Sequence, residues 1–138
     1  LLDERARPSD AWAESALRLF GDPTVGAVVG PVVPLLGGKP SEDATGVLKE
    51  SRLGLGGARI RHHVGSLREV DDFPSSNLFI RTSALREALQ RGAALDDDLC
   101  GALRRRHGLS VLCSPDVVVT IAPEPIGRYL ASLHGLGR

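Results

Sequence analysis

The chain has no methionine, two cysteines, one tryptophan and no excess of charge of either sign. Seventeen basic residues balance seventeen acidic ones. There is thus no electrostatic footprint for DNA, RNA or an anionic membrane. Only two of the basic residues are lysines, and the arginines are scattered rather than striped. Cys100 and Cys113 are not spaced like a metal site. Each lies in an apolar-periodic segment, so both are expected as reduced core residues. No segment has the form of a signal peptide or a spanning helix. The longest apolar run, Val25 to Leu36, is broken by Gly26, Gly30, Pro31 and Pro34 and falls short of the roughly 20 residues a bilayer requires. There is no internal repeat and no low-complexity tract. A start at Leu1 with no methionine anywhere suggests a piece of a longer protein.

What is present is ordinary globular sequence. The 138 residues are 42% hydrophobic and 25% charged, which suits one domain with one core. The element pattern is α/β. Leu1 and Leu2 read as the end of a strand. Pro8-Ser9-Asp10 reads as a helix start, with Ser9 or Asp10 as cap. Trp12, Ala16, Leu19 and Phe20 recur at helical spacing, and Gly21 with Asp22-Pro23 stops that helix. Val25 to Val29 reads as a buried strand. It is expected in the same sheet as the Leu1-Leu2 strand end, after a right-handed parallel crossover that packs the Trp12 helix across it.

Residues 37–46, rich in Gly, Pro, Ser and Asp, read as a loop, and Val47 to Leu55 as a weak helix. Arg59 to Glu69 has no clear period and is either a mobile loop or an edge strand. Leu78 to Ile80 reads as a strand and Ser83 to Arg91 as a helix. Leu95 to His107 is the best helix, with Leu95, Leu99, Ala102 and Leu103 as its buried stripe. Its acidic first turn and basic last turn match the helix dipole, and Gly108 ends it. Leu109 to Cys113 and Val117 to Ile121 read as strands around the Ser114-Pro115-Asp116 turn. A last amphipathic helix carries Ile126, Tyr129, Leu130 and Leu133.

Three stretches carry candidate chemistry. The first is Leu2-Asp3-Glu4-Arg5-Ala6-Arg7-Pro8, an acidic strand end leading into Trp12. The second is Val70-Asp71-Asp72-Phe73-Pro74-Ser75-Ser76-Asn77, followed by Leu78 to Arg81. Small hydroxyl and amide groups on a rigid turn donate and accept hydrogen bonds in set directions. The plainer reading is a turn whose Asn77 bonds its own backbone. The third is Leu95-Asp96-Asp97-Asp98-Leu99-Cys100, where three acids on a first helical turn also favour a helix with no chemistry at all. His62-His63 and His134 read as loop, surface or packing residues rather than metal ligands.

In this order the three stretches resemble the second half of an inverting family 2 glycosyltransferase, a GT-A nucleotide-diphospho-sugar transferase domain. The resemblance covers nearly all 138 residues. It implies a mixed, mainly parallel sheet flanked by helices, with the nucleotide-binding half upstream of Leu1. It implies transfer of a sugar, with inversion, from a nucleoside-diphosphate donor to a glycan or lipid-linked acceptor, as in cell-envelope polysaccharide biosynthesis. Asp96 falls on the family's general base, with Asp97 the alternate. Asp72, Ser76, Asn77 and Arg81 fall on the pocket wall. Asp3 falls on a carboxylate that holds Mg²⁺ or Mn²⁺ against the donor diphosphate.

The sequence also departs from the family. Arg5 stands where a second metal-binding acid is usual, and could face the diphosphate itself. Leu95 replaces a glutamate, Thr120 to Pro123 replace histidines, and Ser132 and Leu133 replace glutamine and arginine. The resemblance places the intact protein in the cytoplasm or at the inner face of the membrane, attached through parts outside this chain, and leaves the isolated piece inactive. The departures keep open a catalytically inactive homologue that serves as a binding or assembly module.

Overall fold

A computed structural model of the chain describes residues 2–51, 61–71, 73, 76–90 and 99–135. Seven strands are named among them: β1 (Arg7–Pro8), β2 (Val25–Val29), β3 (Val32–Pro34), β4 (Arg68–Glu69), β5 (Leu78–Ile80), β6 (Ser110–Cys113) and β7 (Val119–Ile121). The helices are α1 (Trp12–Leu19), α2 (Pro40–Glu50), α3 (Thr82–Gln90), α4 (Leu99–His107) and α5 (Ile126–Gly135). The protein is thus mixed α/β, with mixed sheets flanked by helices. Among the described residues no helix is long and apolar enough to cross a membrane.

The larger sheet has the order β4-β6-β2-β5. β2 runs parallel to β6 and antiparallel to β5, and β4 caps the other edge antiparallel to β6. Side chains alternate across it as the pleat requires. Ala27, Val29, Leu78, Val111 and Cys113 face one way, into a core with Ala84 and Ala88 of α3 and Leu99, Cys100 and Leu103 of α4. Val28, Phe79 and Leu112 face the other way, against Trp12, Ala16 and Leu19 of α1. A register shift between Val25 and Ala27 puts Val25 on the α1 side with Val28. Both cysteines are buried, as reduced thiols. Burial pushes the Cys113 thiol pKa upward.

Two neighbouring strands leave this sheet together. β2 continues through Gly30 and Pro31 into β3, and β6 continues through residues 114–118 into β7. They pair again in a second sheet of order β1-β7-β3. The Ser114-Pro115-Asp116 turn is therefore a passage between sheets, not the bend of a hairpin. At this joint the backbones nearly touch. A Cβ on Gly30 would lie 1.6 Å from the Val117 carbonyl oxygen.

The remaining differences from the sequence reading have local causes. Residues 40–46 belong to α2, not to a loop. Pro40 sits at the start of that helix, where its missing N–H costs nothing, and the Asp43 carboxylate accepts from the Gly37 and Gly38 N–H groups at 3.0 and 3.2 Å. Residues 52–55 of the expected weak helix lie outside the described residues. Arg68–Glu69 takes the edge-strand alternative. Leu2 forms one isolated antiparallel bridge to Asn77, so β5 stands between it and β2. The Leu2 segment and β2 run the same way but are not neighbours. Trp12 packs on Phe79 with ring centroids 4.3 Å apart. Gly108, at φ +62°, ends α4 as expected.

Candidate functional site

In open α/β sheets ligands collect beyond the carboxyl ends of parallel strands. Here that end is the joint between the two sheets, and Asp3, Arg5 and Ser76 lie beside it. The Asp3 N–H donates to the Ser76 carbonyl at 2.9 Å. The Asp3 carboxylate in turn accepts the Arg5 backbone N–H and Nε at 2.9 and 3.1 Å on one oxygen, and Nη2 at 3.0 Å on the other. The Asp3 side chain is 24% exposed and that of Arg5 67%. The hydrogen bond from the Arg5 side chain is the main reason the Asp3 carboxyl titrates below its ordinary value, and the same pair holds the Arg5 guanidinium above its own.

The described ends of the other two candidate stretches also meet. Phe73, next to Asp72, is buried with Leu99 and Cys100, which follow Asp98. The Cys100 thiol donates to the Phe73 carbonyl at 3.5 Å. Arg104 of α4 reaches back to the Val70 carbonyl at 3.0 Å and the Asp71 carboxylate at 2.7 Å. Asp72, Asp96 and Asp97 themselves lie outside the described residues.

Two expected pocket-wall residues sit elsewhere. Asn77 is fully buried in the joint. Its Oδ1 accepts from Trp12 Nε1 at 2.9 Å and its Nδ2 donates to the Val117 carbonyl at 2.8 Å. Its own carbonyl accepts the Gly30 N–H at 3.3 Å. Its amide is committed to joining α1 and both sheets. Arg81 lies past the far end of β5, roughly 13 Å along the strand from Asn77. It donates to the carbonyls of Val25, Phe20 and Asp22 at 2.7, 2.7 and 2.8 Å and lies over the Phe20 ring. It ties the end of α1 to the start of β2.

Arg5 also opens onto a feature without a sequence motif. A small cleft, continuous with solvent, lies over the β3–β7 pair. Val32, Pro34, Ile121, Ala122 and Pro123 form its apolar surface, and Arg5, Lys49, His62 and Glu124 supply its polar groups. Lys49 approaches Glu124 at 3.9 Å and lies over the Tyr129 ring. His62 Nδ1 lies 2.9 Å from the Val32 carbonyl. A carbonyl only accepts, so Nδ1 carries the proton and Nε2 of the neutral ring is an acceptor. Burial, above all, lowers the His62 pKa from 6.5. These four residues are scattered over the sequence without a spacing rule, and only folding gathers them.

As described, these residues do not make a donor set for Mg²⁺ or Mn²⁺. Both Asp3 oxygens face a guanidinium, and among the described residues no group of three or more His, Cys, Asp or Glu could hold a metal ion. Comparison with protein-family models, curated proteins and solved structures found no match.

Proposed function

We propose that, in the intact protein, this chain is the second half of the catalytic domain of an inverting glycosyltransferase. It transfers a sugar from a nucleoside-diphosphate donor to a glycan or lipid-linked acceptor. One observation carries the reading: three stretches distant in sequence meet at Phe73 and Ser76. The Asp3–Arg5 loop is tied to Ser76, and the start of α4 is packed on Phe73. This meeting place lies at the carboxyl end of the parallel strands, where such sheets place ligands.

On this reading the Asp96 carboxylate takes the proton of the acceptor hydroxyl, with Asp97 as its alternate. The hydroxyl oxygen forms a bond to the anomeric carbon as the bond to the donor phosphate oxygen breaks, and the electron pair leaves with the nucleoside diphosphate. Ser76 and Asp72 lie beside the reacting sugar, and Arg5 faces the departing charge. The experiment is Asp96→Asn in the intact protein, with sugar transfer and donor binding measured separately. Turnover should fall by at least about 10²-fold with donor affinity nearly unchanged. Near-normal turnover would move the role to Asp97 or end the enzyme reading.

A second reading, a catalytically inactive homologue that acts as a binding or assembly module, is favoured by the Arg5 grip on both Asp3 oxygens. It predicts no transfer with any nucleotide sugar by the folded intact protein.

A further inference from the structure

We propose that the cleft bounded by Arg5, Lys49, His62 and Glu124 is a phosphate-binding site that works without a metal ion. Its cations come from the protein. Arg5 and Lys49 both line it, and Glu124 is the only acid among its lining residues. The geometry of Arg5 is the stronger argument. Guanidinium carries five N–H donors in a planar fork. Nε and one Nη2 hydrogen are turned to Asp3, at 3.1 and 3.0 Å. The Nη1 edge, with the second Nη2 hydrogen, lies outside that pair. Asp3 is not a lining residue. It holds the fork from behind and leaves an edge suited to two phosphate oxygens.

Lys49 adds a second, compact charge from α2. Its contact with Glu124, at 3.9 Å, is long for an ion pair, so a phosphate oxygen can compete for the ammonium. Neutral His62 adds no charge, and its Nε2 accepts from a hydroxyl carried by the ligand. The apolar surface of Val32, Pro34 and Ile121 lowers the local dielectric and strengthens each charge-assisted bond. The ligand class is a phosphate or diphosphate ester with at least one free hydroxyl. Equating it with the diphosphate of the sugar donor rests on the glycosyltransferase reading; the affinity of the cleft for phosphate does not.

The test is calorimetric titration of inorganic pyrophosphate into the intact protein with a chelator present. Binding should be measurable in chelator. Arg5→Gln and Lys49→Gln should each weaken it about tenfold, and Arg5→Lys, which keeps the charge but loses the fork, should recover little. Glu124→Gln should tighten it several-fold by removing the competing acid. Circular dichroism of each variant, against the wild-type spectrum, separates loss of binding from loss of folding. Absence of binding by the wild-type protein, or affinity indifferent to Arg5→Gln and Lys49→Gln, overturns the proposal. The two readings fail separately. Pyrophosphate binding with the expected variant pattern but no sugar transfer ends the enzyme and keeps the cleft. Sugar transfer without chelator-resistant pyrophosphate binding ends the cleft proposal and keeps the enzyme.

Discussion

The joint between the two sheets and the cleft beside it are neighbours built on opposite principles. In the joint, the Asn77 side chain has a partner for its oxygen and for its nitrogen, solvent is excluded, and the Gly30 and Val117 backbones are too close for a Cβ. In the cleft, the Arg5 side chain is mostly exposed and those of Lys49 and Glu124 about a quarter exposed, with Arg5 paired to Asp3 and Lys49 to Glu124. Buried polar groups with full partners resist change, because each orphan left behind bears its desolvation cost. Partly exposed charges cost little to alter and are free to serve a ligand. The difference separates residues that hold the fold from residues available for binding.

The harshest way to break the joint is Gly30→Ala. The new Cβ would overlap the Val117 carbonyl, a backbone atom that cannot swing aside. A loss above about 4 kcal/mol is expected, enough to abolish a cooperative urea transition. Asn77→Ala comes next. It strips Trp12 Nε1 and the Val117 carbonyl of their partner, at about 1–3 kcal/mol for each buried orphan. Urea denaturation should place the loss near 3 kcal/mol, and a change under 0.5 kcal/mol would show that the joint is not sealed.

Arg81→Met keeps the stem but takes the side-chain donor from the Val25, Phe20 and Asp22 carbonyls, of which Asp22 still accepts the Val25 N–H at 3.2 Å. The expected loss is about 2 kcal/mol. On the glycosyltransferase reading, donor binding should be unchanged, because Arg81 lies at the opposite end of the sheet from Ser76. A selective loss of donor binding with full stability would return Arg81 to the pocket wall.

The cleft should respond in the opposite sense. Lys49→Gln removes a long ion pair and a ring contact, so stability should change by about 1 kcal/mol or less. The smallest effect is that of His62 on acid stability. Its pKa in the fold lies below 6.5, so the unfolded chain takes up the proton first. Stability is therefore full above about pH 6.5 and falls as pH drops through that value towards the lowered one. His62→Gln should flatten the Tm-against-pH profile below about pH 6.5, and an unchanged slope would assign the acid loss to other groups.

Much of the fold was legible because the information was local. α1, β2, β5, α3 and β6 follow from apolar spacing and β-branched content. The described part of α4 adds a buried stripe of Leu99, Ala102 and Leu103 and a glycine stop. α2 was misjudged at its start because the composition of residues 37–46 suggests a loop, whereas Pro40 and Asp43 are helix-start devices. The site was legible only in part. Asp3, Arg5 and Ser76 were named as candidates from the sequence, and folding brings them together. Asn77 and Arg81 were recognised as special, but their partners lie 40 and 56 or more residues away, beyond any local pattern. Lys49, His62 and Glu124 carried no signal as a group, since no spacing rule relates them.

The sequence by itself determined where α1, β2, β5, α3 and β6 form, that both cysteines belong to the core, and that the chain carries no net charge. These follow from side-chain periodicity and composition, which act over a few residues or over the whole chain. The tertiary structure alone decided that β2 and β6 leave one sheet to build a second, that Asn77 seals the passage, and that Arg5, held by Asp3, lines the cleft with Lys49, His62 and Glu124. Those outcomes depend on which carbonyl, ring or charge folding brings within about 3 Å.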